Sequence, residues 1–139
     1  MRLELIGPRD LKPTECHDRQ AASDLAEKIA GDGQWITPLL VHDLNLAILD
    51  GHHRCQAAFE LELSAVPYLV CTYEEDRIKL GSWRDDYRPN PEDVLLAAET
   101  GNLFPYKTTR HTAPELPLTF AISLELLKLK SRITQEAYW

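Results

Sequence analysis

The chain has 139 residues, of which 44% are hydrophobic and 27% are charged, and this composition suits one globular domain with a real core. Its formal net charge is −7, with 15 Lys and Arg against 22 Asp and Glu, which argues against a broad nucleic-acid-binding surface but leaves a local anion site open. No apolar run approaches the ~20 residues that cross a bilayer, and Met1–Pro8 is too short and too polar for a signal peptide. Three cysteines without metal-like spacing favour reduced thiols in a cytoplasm.

The chain opens with a predicted strand and a predicted helix. Alternation at Arg2–Ile6 indicates an edge strand. From Asp18 onward, apolar residues three and four apart predict one buried helical face, and Gly31 and Gly33 supply the stop. The residues of this face are Ala22, Leu25, Ala26 and Ile29.

Three apolar segments in the middle of the chain predict strands. Trp35–Val41 is the first. Pro38 within it indicates either an edge strand or a strand that begins at the proline. A hairpin connection at His42–Asn45 leads to the second strand, Leu46–Leu49. The third strand is Val66–Tyr73.

Three further helices complete the predicted fold. The first covers Arg54–Leu61, and the second begins at the capping residue Asn90 and ends at Gly101. A final amphipathic helix is expected from Leu118 to about Arg132, where it would cover the site or pair two subunits in a homodimer. Because strands and helices mix without a βαβ rhythm, we expect a compact α+β domain over residues 1–139, with a small mixed sheet flanked by helices.

The segment Asp50–Arg54 joins a predicted strand to a predicted helix and is the strongest functional signal. A helix N-terminus offers free N–H groups and partial positive charge to a phosphate. Gly51 permits a close backbone approach, and Arg54 adds a two-pronged cationic contact. Asp50 suits a magnesium ion or a substrate hydroxyl. The segment predicts a phosphate site, and the alternative is a corner whose His and Arg side chains are only solvated.

A second polar segment, Phe104–His111, contains three side chains that are cationic or become so, with two hydroxyls among them. These residues are Lys107, Thr108, Thr109, Arg110 and His111. They form a dense set of anion ligands in an acidic protein, although at most two or three can reach one ligand. An exposed basic loop is the alternative.

Glu15 precedes the first predicted helix and has two interpretations. A carboxylate at this position stabilises the helix N-terminus. Alternatively, Glu15 acts as a general base, which requires it to face the hydroxyl that it activates. Trp83 likewise suits either an aromatic packing role or a ligand contact.

These motifs resemble a known group of proteins. The string Leu49-Asp50-Gly51-His52-His53-Arg54, followed by Ala57-Ala58 and Val66-Pro67, resembles the ParB/sulfiredoxin-like nucleotide-binding fold. With Phe104–His111, its double-histidine form is similar to the free L-serine kinases, which move a phosphoryl group from ADP or ATP to the serine hydroxyl and give O-phosphoserine. The first motif marks only the superfamily, whereas the pair of motifs is more specific.

The resemblance implies a role for each matching residue. Glu15 would take the serine hydroxyl proton, and Asp50 would orient that hydroxyl or the metal. The nucleotide phosphates would be bound by Gly51, His52, His53 and Arg54. The transferred phosphate would be bound by Lys107, Thr108 and Thr109. The amino acid would be bound by Trp83, Arg110 and His111, with Arg110 suited to its carboxylate. Mg²⁺ would be bound through the phosphates of ATP or ADP, with Asp50 as a candidate ligand.

Two other functions share this fold. A ParB-like nucleotide-binding or DNA-binding regulator is the first, although the sequence shows no basic recognition helix. A sulfiredoxin-like reductase would need a cysteine inside the phosphate turn, where histidines stand instead, and Cys55 follows Arg54. The chain departs from the family at Leu61-Glu62-Leu63, because the helix after the motif usually ends in Leu-Gly.

Overall fold

A computed structural model describes residues 1–129, in which eight strands, four α-helices and one short 3-10 helix (Pro8–Asp10) are found. The strands are β1 (Arg2–Ile6), β2 (Gln34–Trp35), β3 (Leu39–His42), β4 (Ile48–Asp50), β5 (Val66–Cys71), β6 (Lys79–Ser82), β7 (Thr109–Thr112) and β8 (Ile122–Ser123). The helices are α1 (Arg19–Asp32), α2 (His52–Glu60), α3 (Pro91–Thr100) and α4 (Leu124–Lys128). None of the described helices is long and apolar enough to span a bilayer.

The main sheet has the strand order β1-β5-β3-β4 and is mixed, as the sequence predicts. Strands β3 and β5 are parallel, while β1 and β4 run antiparallel to their neighbours. All six residues of β5 are buried, because this strand lies inside the sheet and is covered on both faces. Strand β1 forms the predicted edge and pairs only with β5 among the described strands.

Alternating residues of the sheet feed two hydrophobic cores. Helices α1 and α2 pack against each other and cover the face that carries Leu39, Val41 and Ile48. The opposite face carries Leu40 and Leu69 and is covered by residues that include Val94 of α3. Strands β6 and β7 form a separate antiparallel pair, and β7 contacts β4, which brings the second polar motif toward the end of β4.

Local signals set the ends of two helices as predicted. Asn90 caps α3 by accepting the Asp93 N–H at 2.8 Å, and Gly101 ends it with a φ of 77°. Gly33 ends α1 with a φ of 69°, as predicted. Gly31, which was also predicted to stop this helix, lies inside it.

Three predicted elements differ from the structure. The expected strand at Trp35–Val41 is split into β2 and β3, which belong to different sheets, and Pro38 lies at the break. Helix α2 starts at His52, two residues before the predicted start at Arg54. The expected helix from Leu118 to about Arg132 is wrong over residues 118–123, which are coil and β8, and its residues 130–132 lie outside the described range.

The residues before α4 are coil and strand because they pair with distant backbone. The Phe120 N–H donates to the Ile36 carbonyl at 3.0 Å, and the Leu124 N–H donates to the Gly33 carbonyl at 3.1 Å. Strand β8 pairs with β2 at Trp35↔Ile122. These tertiary hydrogen bonds replace the local helical ones that the apolar spacing suggested.

Candidate active site

Gly51 forms the turn between β4 and α2 and caps the helix with a φ of 109°. A Cβ built on this residue would collide with the Leu39 side chain and would lie 3.1 Å from an Arg54 guanidinium nitrogen. Both the positive φ and the close packing therefore require glycine. The turn opens the N-terminus of α2 to the protein surface, where its free N–H groups suit an anion.

Arg54 lies on the first turn of α2 and bends back toward the strand ends. Its Nη2 donates to Asp50 Oδ2 at 3.5 Å and to the Pro38 carbonyl at 3.4 Å. Its Nε is buried and has no hydrogen-bond partner within the described residues. A buried donor without a partner costs stability, which makes this nitrogen a candidate donor to a bound anion.

The two histidines of α2 accept hydrogen bonds from the segment that carries Glu15. His52 Nε2 accepts the N–H groups of Thr14 at 3.0 Å and Glu15 at 3.2 Å. His53 Nε2 accepts the Asp18 N–H at 2.9 Å. Burial lowers the pKa of His52 to about 3, so its ring is neutral and stays an acceptor. We expected both histidines to contact the nucleotide phosphates. In the structure their Nε2 atoms accept backbone N–H groups of the protein instead.

The Glu15 carboxylate is bound by the second motif. Its Oε1 accepts the N–H groups of Thr108 at 3.1 Å and Thr109 at 2.7 Å, and the Thr109 hydroxyl at 3.0 Å. The backbone is fixed as well, since Phe104 N–H donates to the Thr14 carbonyl and Cys16 N–H donates to the Phe104 carbonyl. Glu15 therefore does not cap α1, whose N-cap is Asp18.

These bonds change the expected picture of the second motif. Thr108 and Thr109 give their backbone donors to Glu15, while the Thr108 hydroxyl donates to the Pro105 carbonyl at 2.7 Å. Both threonines are buried. Of the three residues expected to bind the transferred phosphate, Lys107 is the one whose side chain is exposed; it has a φ of 55° and lies beside Tyr106.

The residues predicted to bind the amino acid lie on the two faces of the β6–β7 pair. Arg110 stacks on the exposed Trp83, with the guanidinium carbon 4.5 Å from the ring centroid. His111 points to the opposite face, because successive strand residues alternate. It is buried, its Nε2 lies 2.9 Å from the Tyr73 hydroxyl, and burial lowers its pKa to about 4.

Most of the predicted site residues line one cleft of about 330 Å³, which we call the main cleft. Its lining residues are Glu15, Leu25, Leu49, Asp50, Gly51, His52, His53, Arg54, Trp83, Tyr106, Lys107 and Thr109. Of the predicted residues, Thr108, Arg110 and His111 are not in this lining. Sequence reasoning missed Tyr106 as a lining residue, although its position inside the second motif, directly before Lys107, was an available signal.

A second cleft of about 280 Å³ adjoins the first, and Arg54 lines both. Its other lining residues are Leu25, Lys28, Ile29, Asp32, Gln34, Trp35, Ile36 and Thr37. We call it the side cleft. It combines apolar walls with a polar rim, which is the usual character of a small-molecule site.

In the part of the chain that the structure describes, side chains alone do not form a metal site. Within residues 1–129, no three His, Cys, Asp or Glu side chains are grouped to hold an ion. Asp50 stands at the main cleft with a side chain 58% exposed, which fits a metal that is bound mostly by substrate phosphates. All three cysteines are free, and burial raises the pKa of Cys55 to about 11, which makes this thiol a poor nucleophile.

Residues 1–80 match the model of the ParB N-terminal domain, and the chain therefore belongs to this family. A ParB-like protein of Sulfolobus acidocaldarius is 27% identical over 89 residues, which are 64% of this chain and 44% of that protein. An ATP-dependent L-serine kinase of Staphylothermus marinus is 34% identical over 64 residues, which are 43% of this chain and 25% of that protein. The chain thus spans less than half the length of the curated relatives it matches.

A solved structure shares nearly the whole fold. A free serine kinase in complex with AMP superimposes with a TM-score of 0.81 at 16% identity, and the match covers 90% of this chain and 93% of that chain. This likeness confirms the predicted ParB/sulfiredoxin-like α+β fold.

Proposed function

We propose that this chain is a kinase that transfers a phosphoryl group from ATP or ADP to the hydroxyl of free L-serine, giving O-phospho-L-serine. The observation that carries the proposal is the placement of Glu15 in the same cleft as the N-terminus of α2. All three bonds to the carboxylate converge on Oε1, which leaves Oε2 for a substrate proton. A fixed carboxylate beside an anion site is what phosphoryl transfer to a hydroxyl needs.

The nucleotide fits across the two clefts. The N–H groups at the start of α2 and the guanidinium of Arg54 would bind the phosphates, and Arg54 Nε would gain the acceptor that it lacks in the described structure. Because Arg54 lines both clefts, the nucleoside would extend from it into the side cleft, against Leu25 and Trp35. The free serine kinase with AMP bound supports a nucleotide in this fold.

The acceptor amino acid fits on the other side of the main cleft. Trp83 and Lys107 line this side, and Arg110 stacks on Trp83. Because the serine carboxylate is negatively charged, we assign its binding to the cationic side chain of Arg110 or Lys107. Thr108 and His111 then act from within the protein, since they are buried and bonded to Pro105 and Tyr73. Thr109 lines the cleft, but its N–H and its hydroxyl both donate to Glu15.

In the proposed reaction, Glu15 Oε2 accepts the proton of the serine hydroxyl as its oxygen forms a bond to the terminal phosphorus. The bond between that phosphorus and the nucleotide oxygen breaks, and the negative charge that develops there is stabilised by Arg54 and the N-terminus of α2. Asp50 would bind Mg²⁺ together with the phosphates, and the ion would neutralise phosphate charge.

Product analysis tests the proposal. The chain is incubated with Mg²⁺, with ATP or ADP, and with each hydroxy amino acid in turn, and the products are identified by mass spectrometry. We expect O-phosphoserine in an amount that depends on nucleotide. Nucleotide hydrolysis or binding without any phosphorylated amino acid would contradict the proposal.

A ParB-like nucleotide-binding regulator is the second candidate, and the family match over residues 1–80 favours it. The relative from Sulfolobus acidocaldarius supports it too. The net charge of −7 disfavours a DNA-binding role for this chain. Tight nucleotide binding without turnover, together with DNA retention that weakens steeply with salt, would select this candidate.

A further inference from the structure

Arg84 is an arginine whose side chain contacts the second motif. Strand β6 ends at Ser82, where its pairing with β7 also ends, and Arg84 is the second residue after it. Its Nη2 donates to the Tyr106 carbonyl at 2.8 Å, and its Nε donates to the Thr108 hydroxyl at 3.2 Å. The guanidinium therefore joins the two sides of the turn at residues 105–109, which we call the motif turn.

The motif turn in turn presents the donors that bind Glu15. Arg84 donates to the Thr108 hydroxyl, and the backbone N–H of Thr108 donates to Glu15 Oε1 at 3.1 Å. The neighbouring Thr109 supplies the other two bonds to this oxygen. A single residue, Thr108, therefore links the Arg84 guanidinium to the Glu15 carboxylate.

The turn also has a conformation that needs support. Lys107 at its centre has a φ of 55°, in the left-handed region that side chains other than glycine rarely adopt. The bond from Arg84 to the Tyr106 carbonyl lies directly before this residue, and the bond to Thr108 lies directly after it. The planar guanidinium spans the strained residue, which a lysine could not do with two fixed donors.

We propose that Arg84 is a positioning residue that sets the Glu15 carboxylate by fixing the motif turn. The inference rests on the proposed function, because it assigns Arg84 to the base of that reaction. Arg84 does not line the main cleft, and two of its nitrogens are bonded to protein oxygens. A positioning role therefore predicts an effect on turnover, whereas a ligand contact would predict an effect on affinity.

The kinetic test is a double-mutant cycle of Arg84→Ala and Glu15→Gln. We expect Arg84→Ala to lower kcat by about 10- to 100-fold, with KM for serine and nucleotide affinity changed by less than about threefold. In the Glu15→Gln background the same substitution should cost less than about threefold, because the base through which Arg84 acts is gone. Arg84→Lys should stay defective, and Arg88→Ala, which changes an exposed arginine four residues along, should be near wild type.

A second measurement does not depend on activity. Amide hydrogen exchange of Thr108 and Thr109 reports their bonds to Glu15, and Arg84→Ala should speed it at least tenfold while the thermal midpoint changes little. Arg88→Ala should leave it unchanged. If exchange speeds up but the wild type makes no phosphoserine, the proposed function fails and the positioning role stands. Unchanged exchange in folded Arg84→Ala, full activity in Arg84→Lys, or additive losses in the cycle would each overturn the inference.

Discussion

Glu15 is held from two directions by different parts of the chain. His52 of α2 accepts the Thr14 and Glu15 N–H groups, while Thr108 and Thr109 bind the carboxylate. Because the main chain and the side chain are fixed separately, the carboxylate is placed before any substrate binds. Such preorganisation lowers the cost of reaching the reactive geometry.

The acceptor role of His52 predicts a pH-dependent stability. Burial lowers its pKa from 6.5 to about 3, so the unfolded chain takes up a proton below pH 6.5 while the folded chain does not until about pH 3. The contribution of His52 is present above pH 6.5 and is lost as the pH falls through this window, by up to about 1.4 kcal/mol per pH unit. The free energy of unfolding of His52→Gln, measured in urea at pH 7 and pH 5, should therefore fall less on acidification than that of the wild type.

Gln is the matched replacement, since its Oε1 can accept the same two N–H groups without titrating. Burial also lowers the pKa of His111 to about 4, and His111 is present in both proteins, so the comparison isolates the change at position 52. An identical loss of stability in the wild type and His52→Gln would contradict this account of His52.

Arg54 is expected to govern nucleotide affinity. Arg54→Ala removes a charge-assisted contact worth roughly 1.5–3 kcal/mol, so affinity for ATP or ADP should fall by about one to two orders of magnitude. Titration calorimetry measures it, with the exposed Arg88→Ala as the charge-matched control. An unchanged dissociation constant in a folded Arg54→Ala variant would place the nucleotide elsewhere.

At the scale of elements, the predictions that succeeded rest on local chemistry. Helix α3 carries its cap at Asn90 and its stop at Gly101, and both were visible in the sequence. Strands β6 and β7 were missed because Lys79–Ser82 and Thr109–Thr112 contain few apolar residues and pair across a long chain separation. The predicted C-terminal helix is found only as α4 at Leu124–Lys128. Residues 122 and 123 before it form β8, because they pair with the distant strand β2.

The end of α2 gives a stability prediction. The family's usual glycine is replaced by Glu62, which adopts a φ of 56° directly after the C-cap Leu61. A left-handed conformation costs an L-residue roughly 1–2 kcal/mol, and glycine avoids most of that cost. Glu62→Gly should therefore raise the free energy of unfolding by about 1 kcal/mol.

Glu62→Ala is the control, because it removes the same charged side chain and keeps the strained backbone. Its stability in urea should stay near that of the wild type. Equal stabilisation by Ala and Gly would show that the carboxylate, rather than the backbone conformation, is unfavourable at this position.

At the scale of the whole molecule, the main cleft unites three segments that lie far apart in the chain. The sequence motifs identified Glu15, the turn at Asp50–Arg54 and the segment at Phe104–His111 as parts of one site, and the cleft contains residues of all three. The separation of Arg110 from His111 follows from strand alternation once β7 is known. The bonds of His52 and Thr109 to the Glu15 segment were not predictable, because they depend on how separate elements pack.

The central claim, that Glu15 is the base of a phosphoryl transfer in this cleft, is tested most directly on Glu15→Gln. Gln keeps the size of the side chain and an oxygen for the Thr108 and Thr109 donors, but it cannot take a proton. We predict that phosphoserine turnover falls by roughly 10²–10⁴ while nucleotide affinity and the thermal midpoint change little. Turnover near that of the wild type would contradict the claim.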